Sequence, residues 1–143
     1  MRRFEFRLAR LEKMRELRRR EARVALAQAV AARDSKRRAL AEAETMYRQA
    51  IYTELDEGAH DITVWRELMA RRERARESVG YAATKEQEAT LSLAEAEAAY
   101  AEASRKHRAL ERLREKRYAR WREEEKQEEQ KFLDENYLLR SRP

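Results

Sequence analysis

Apolar residues recur along this chain at the alternating four- and three-residue spacing of a coiled-coil seam. From Phe4 the positions are Phe4, Leu8, Leu11, Arg15, Arg18, Ala22, Ala25, Ala29, Ala32, Lys36, Ala39, Ala43, Met46 and Ala50, of which 11 of 14 are apolar. From Trp65 they are Trp65, Leu68, Arg72, Ala75, Val79, Ala82, Glu86, Ala89, Leu93, Ala96, Tyr100, Ala103, His107 and Leu110, again 11 of 14. A helix that holds such a register for this long has a partner helix along it, because each seam side chain needs a hole to fill. The stripe continues more patchily through Leu113, Trp121, Phe132 and Leu138. The spacing predicts one helix over about residues 3–56 and a second over about 63–139.

Between them lies Asp56-Glu57-Gly58-Ala59-His60-Asp61-Ile62-Thr63, read as a turn over about 57–62. Gly58 can adopt the left-handed conformation that closes a helix. Asp61 or Thr63 can accept the first free N–H groups of the next one. A short connection between long helices makes an antiparallel hairpin. The expected fold is therefore all-α: a single coiled-coil domain spanning 1–143, with Phe4 opposite about position 116 and a C-terminal helical overhang beyond about 119. Each paired arm would be on the order of 80 Å long. Gly80 weakens the second helix without ending it.

Composition narrows this further. Only 2 Gly and 1 Pro occur in 143 residues, so turn punctuation is nearly absent. Much of the 42% hydrophobic fraction is alanine, and 43% of residues are charged. Such a chain fills a thin seam between helices, not a thick core. It has no cysteine, which excludes disulfides and thiolate metal sites and fits a reducing compartment. No apolar run approaches the roughly 20 residues that span a bilayer, and the basic N-terminus lacks a secretory apolar core. The reading is a soluble cytoplasmic protein.

The net charge of +6 is unevenly placed. Residues 1–23 hold ten Lys or Arg against four Glu, and residues 105–122 hold nine against two. The hairpin brings these stretches side by side as a basic sleeve at the open end. The turn carries Glu54, Asp56, Glu57 and Asp61, and residues 123–135 carry seven carboxylates against two lysines. Two like-charged stretches held together repel each other, which is easier to understand if an anionic partner receives them.

Nothing in the chain reads as catalytic. His60 and His107 are not brought together by a hairpin, and His107 reads as a packed seam residue. Glu123, Glu124 and Glu125 are exposed helix positions without the concave site that perturbs a pKa. There is no Gly-rich phosphate loop and no nucleophile motif. The expectation is a non-enzymatic protein with no catalytic residue, cofactor, metal or small-molecule substrate. Basic-leucine-zipper readers set a basic region beside a leucine seam, whereas here charges of both signs interleave over an alanine seam, which argues against nucleic acid.

Large apolar residues gather at two places. Tyr47, Ile51, Tyr52, Leu55, Trp65, Leu68 and Met69 surround the turn; Phe4, Phe6, Leu8, Leu11, Tyr118 and Trp121 lie at the open end. One seam cannot hide them all, and on a helix Phe4 and Phe6 point about 200° apart. Both clusters read as partner contacts.

Two stretches resemble the FliJ family of the bacterial flagellar export apparatus. Arg3-Phe4-Glu5-Phe6-Arg7-Leu8-Ala9-Arg10-Leu11, followed by Arg18-Arg19-Arg20-Glu21-Ala22, is similar to the family's Phe-x-Phe-x-Leu-x-x-Leu opening. Leu110-Glu111-Arg112-Leu113-Arg114-Glu115-Lys116-Arg117 and the run Glu128 to Glu135 are similar to its closing helix. The resemblance implies a coiled coil like the central stalk of rotary ATP synthases. It implies a non-enzymatic role in type III protein export and flagellum biogenesis. The open end would bind and stimulate the hexameric export ATPase, and the protein would link that ring to the cytoplasmic domain of the export gate and escort export chaperones. The implied ring-binding residues are Phe4, Phe6, Leu8, Leu11, Arg18, Arg19, Arg20, Arg117 and Trp121. The implied gate-binding residues are Tyr47, Ile51, Trp65, Leu68 and Met69. Isolated, the chain is expected to be a monomer, associated peripherally with the inner-membrane export apparatus. A stalk protein of virulence type III secretion and a generic coiled-coil scaffold stand as alternatives.

Overall fold

The structure, a computed structural model, describes residues 2–52 and 61–142. It consists of two long helices, α1 (Ala9–Tyr52) and α2 (Ile62–Arg140). They pair as an antiparallel hairpin. Glu12 meets Arg114 and Glu16 meets His107, so rising numbers on α1 face falling numbers on α2. The same sense holds where Arg37 meets Glu86 and where Arg72 reaches Ala50. Contacts group the chain into two compact units, residues 2–21 with 101–142 and residues 22–100, described separately below.

α1 begins at Ala9, about six residues later than the periodicity predicts. The preceding segment is non-helical, and the Leu8 carbonyl accepts the first helical bond, from the Glu12 amide at 2.8 Å. The reason lies in Phe4 and Phe6. A helix would aim them apart, whereas the non-helical segment turns both onto α2: Phe4 against Tyr118 and Trp121, Phe6 beneath Arg117. Burial of two aromatic rings outweighs one more turn of helix propensity.

The expected turn lies outside the described residues except for its last two positions, as do Glu54, Leu55, Asp56, Glu57, Gly58 and His60. Asp61, not Thr63, takes the N-cap position. Its carbonyl accepts from the amides of Val64 and Trp65 at 3.0 and 3.3 Å. α2 then runs through Gly80 without interruption.

In the unit of residues 22–100, α2 follows its predicted register closely. Leu68, Arg72, Ala75, Val79, Ala82, Glu86, Ala89, Leu93, Ala96 and Tyr100 are all buried or half-buried, and Trp65 alone of the predicted set is exposed. The α1 register needs correction. Ala22, Ala29, Ala43 and Ala50 face inward as expected, but four intervening positions fall one residue later, at Leu26, Arg33, Leu40 and Tyr47 in place of Ala25, Ala32, Ala39 and Met46, and the predicted Lys36 is exposed. Side-chain size decides this: Leu26, Leu40 and Tyr47 each remove far more apolar area from water than an alanine. The seam is thin. Among the described residues, the buried apolar side chains are Ala50 and Leu93. Arg72 closes the C-terminal end of α1, donating from Nε to the Ala50 carbonyl at 3.0 Å and from Nη2 to the Ile51 carbonyl at 2.9 Å. A guanidinium fork from α2 thus satisfies two carbonyls at the end of α1.

Candidate partner-binding surfaces

In the unit of residues 2–21 and 101–142, three rings form a cluster. Phe4 lies edge-on to Tyr118 at 5.3 Å and 5.8 Å from Trp121, and Tyr118 stacks on Trp121 at 5.7 Å. The Arg117 guanidinium sits 5.6 Å from the Phe6 ring. Of the residues the resemblance assigns to ring binding, Phe4, Phe6, Leu8, Leu11 and Trp121 are half-buried against this helix pair. The structure brings Phe4, Phe6, Arg117 and Trp121 together; part of their apolar area is spent on each other.

Polar groups lock the same seam. The His107 imidazole is buried, its Nε2 2.7 Å from Glu16 Oε2 and 3.8 Å from Glu111 Oε1. Glu16 also accepts from Arg19 and Arg20, at 3.2 and 3.1 Å. Burial pushes the Glu16 carboxyl up, but the bond from Arg20, the charges of Arg19 and His107 and the bond from Arg19 together hold it below its ordinary value. Arg114 meets Glu12 at 2.9 Å. Among the described residues, the buried Ser104 Oγ and His107 Nδ1 have no hydrogen-bond partner. His107 is thus the packed seam histidine expected, with a contact to Glu16 that periodicity did not reveal.

Once these pairs are made, much positive charge remains. Residues 2–21 carry nine Lys or Arg against four Glu, and residues 101–122 carry nine against three. Glu12, Glu16 and Glu102 are engaged by Arg114, by Arg19 and Arg20, and by Arg105 and Lys106. Arg10, Arg18, Arg108 and Arg112 are exposed and make no ion pair among the described residues. Arg18 is therefore free to meet a partner, while Arg19 and Arg20 are partly committed to Glu16. An open groove of about 690 Å³ lies beside them, with Phe6, Leu17, Lys13 and Arg114 in its walls.

In the other unit, the residues assigned to the gate divide. Tyr47 belongs to the seam and is half-buried, as are Leu68 and Met69. Ile51 and Trp65 are exposed, beside the exposed Tyr52, Ile62 and Val64. Ile62 and Val64 escaped the sequence reading because they stand outside the heptad. Their signal was the cluster Ile62-Thr63-Val64-Trp65 at the start of α2, three large apolar residues in four.

Two paired helices that carry exposed apolar and basic side chains make this a helical-hairpin protein. A family model described as flagellar FliJ protein matches residues 4–142, and the chain belongs to that family. Comparison with curated proteins and with solved structures gives no match. Membership makes the chain a component of flagellar protein export, a structural part of that apparatus and not an enzyme, on its cytoplasmic side. Among the described residues no helix is long and apolar enough to cross a membrane.

Proposed function

We propose that this chain is the stalk and escort subunit of the flagellar export ATPase. The observation that carries the reading is the unneutralised basic surface on residues 2–21 and 101–122, set beside the Phe4–Tyr118–Trp121 cluster. A hexameric ring with an anionic lining would receive it, with Phe4, Phe6, Leu8, Leu11, Arg18, Arg19, Arg20, Arg117 and Trp121 on the contacting end. One asymmetric helix pair meets successive ring subunits differently, which biases which subunit binds and hydrolyses nucleotide. The exposed Ile51 and Trp65, with Tyr47, Leu68 and Met69 behind them, would meet the cytoplasmic domain of the export gate, and export chaperones would be escorted by the same protein. ATP hydrolysis by the export ATPase, measured with increasing amounts of this chain, tests the reading. A saturable rise supports it; a rate that stays flat at every concentration removes the stalk role.

A further inference from the structure

The last turns of α2 carry a surface that the stalk reading leaves unused. Phe132, Leu133, Tyr137, Leu138 and Leu139 are each between 64% and 75% exposed. At 100° per residue, Phe132, Leu133, Asn136, Tyr137 and Leu139 fall within an arc of roughly 160°. One edge of that arc continues the line of Trp121, the side chain that packs on Phe4. Past Glu129, the last α2 residue to share a groove with Arg2, the apolar line runs on uncovered. Around it stand four carboxylates, Glu128, Glu129, Asp134 and Glu135, against two cations, Lys131 and Arg140, none in an ion pair among the described residues. Over residues 123–135 there are seven carboxylates and two lysines.

Five large apolar side chains within about two turns of solvated helix are costly to leave in water. The acidic rim specifies what covers them. An anionic lipid surface or nucleic acid is repelled by it, and an acidic helix likewise. We propose that residues 128–139 are a docking helix for a basic amphipathic helix of a partner protein, which lays its apolar stripe on Phe132, Leu133, Tyr137 and Leu139 and its lysines or arginines against Glu128, Glu129, Asp134 and Glu135. The pairing is that of a coiled coil, apolar seam inside and opposite charges flanking it.

The test uses the full chain and a fluorescent Leu/Lys peptide patterned as an amphipathic helix, with a scrambled peptide of the same composition as control. Anisotropy should show saturable binding of the patterned peptide and at least about tenfold weaker binding of the scramble. Phe132→Ser with Leu139→Ser should weaken binding at least about tenfold without changing helicity by circular dichroism. Changing Glu128, Glu129, Asp134 and Glu135 to Lys should transfer the preference to a Leu/Glu peptide. No binding, equal binding of the scramble, or indifference to the serine substitutions overturns the proposal. So does sedimentation showing a dimer that the same serine substitutions dissolve, since a second copy would then occupy the face. None of these results bears on ATPase stimulation, because no residue of this stretch is assigned to the ring.

Discussion

His107 Nε2 and Glu16 Oε2 stand 2.7 Å apart across the seam. The imidazole is buried, yet its Nδ1 has no partner. A half-satisfied buried group specifies register more than it stabilises, since its desolvation is incompletely offset. Replacement by an isosteric apolar residue should therefore be tolerated. His107→Leu is expected to melt at or above the temperature of the parent, because Glu16 keeps Arg19 and Arg20 and no carboxylate is stranded. His107→Ala, which leaves a void in the same place, should lose about 1–3 kcal/mol. Thermal melts followed by circular dichroism distinguish the two. A His107→Leu variant as damaged as His107→Ala would mean the His107–Glu16 contact is a net stabiliser.

Acid should loosen the same region. Glu16 and Glu102 are both held below their ordinary value of 4.5. For Glu102 the first cause is the bond from Arg105, followed by opposing burial and the charges of Arg105 and Lys106. A carboxylate with a depressed folded value binds fewer protons folded than unfolded, so stability rises with pH in that range. Their contribution is complete above the ordinary value and is lost as pH falls through the lower folded values. Melting temperature should hold between pH 7 and about 5 and then fall. The double variant Glu16→Gln, Glu102→Gln should start lower at pH 7 and show a shallower fall below pH 5. Parallel curves for parent and variant would assign the acid sensitivity to other groups.

Gly80 offers the simplest stability test. It lies inside α2, and a methyl group added there meets nothing within 4 Å. Its carbonyl accepts from Thr84 Oγ1, a bond that any residue at position 80 can keep. Glycine in a helix interior costs about 1 kcal/mol against alanine, through the freedom of the unfolded chain. Gly80→Ala should raise stability by about that amount in urea denaturation with the slope unchanged. A loss instead would show that the backbone at this position departs from helical geometry in solution.

How far the sequence could be read follows from where one force dominates. The α2 register was legible from Leu68 to Leu110 because its larger apolar residues, Leu68, Val79, Leu93, Tyr100 and Leu110, all fall on the same stripe and outweigh the small or polar residues beside them. On α1 the choice lay between neighbours that are both apolar, Ala25 or Leu26, Ala39 or Leu40, and Met46 or Tyr47. Counting apolar residues without weighing their area chose the smaller ones at the first two. The start of α1 was missed because the heptad extrapolates helix through Phe4 and Phe6, while their rings find Tyr118, Trp121 and Arg117 only by leaving it. The basic surface was visible as charge counts. Which cations are free within it was not, because Glu16 selects Arg19 and Arg20 and leaves Arg18, a choice set by spacing of three and four residues along one helix face.

That choice sharpens the test of the ring-binding surface. Reversing Arg18, Arg19 and Arg20 together would break the Glu16 pairs as well as any partner contact, so weakened binding could reflect a loosened seam. Arg18→Glu with Arg108→Glu changes two exposed cations that make no ion pair among the described residues. Exposed substitutions of this kind alter stability by about 0.5 kcal/mol or less. The double variant should keep its helicity and melting temperature. It should bind the export ATPase more weakly, chiefly through slower association, and its affinity should respond less steeply to added salt. Arg19→Glu with Arg20→Glu should weaken binding too, but with a lower melting temperature. Surface plasmon resonance at several salt concentrations, beside thermal melts, reads both effects. If Arg18→Glu with Arg108→Glu binds the ATPase as the parent does at low salt, the basic surface is not what the ring recognises, and the aromatic cluster at Phe4, Tyr118 and Trp121 becomes the next place to substitute.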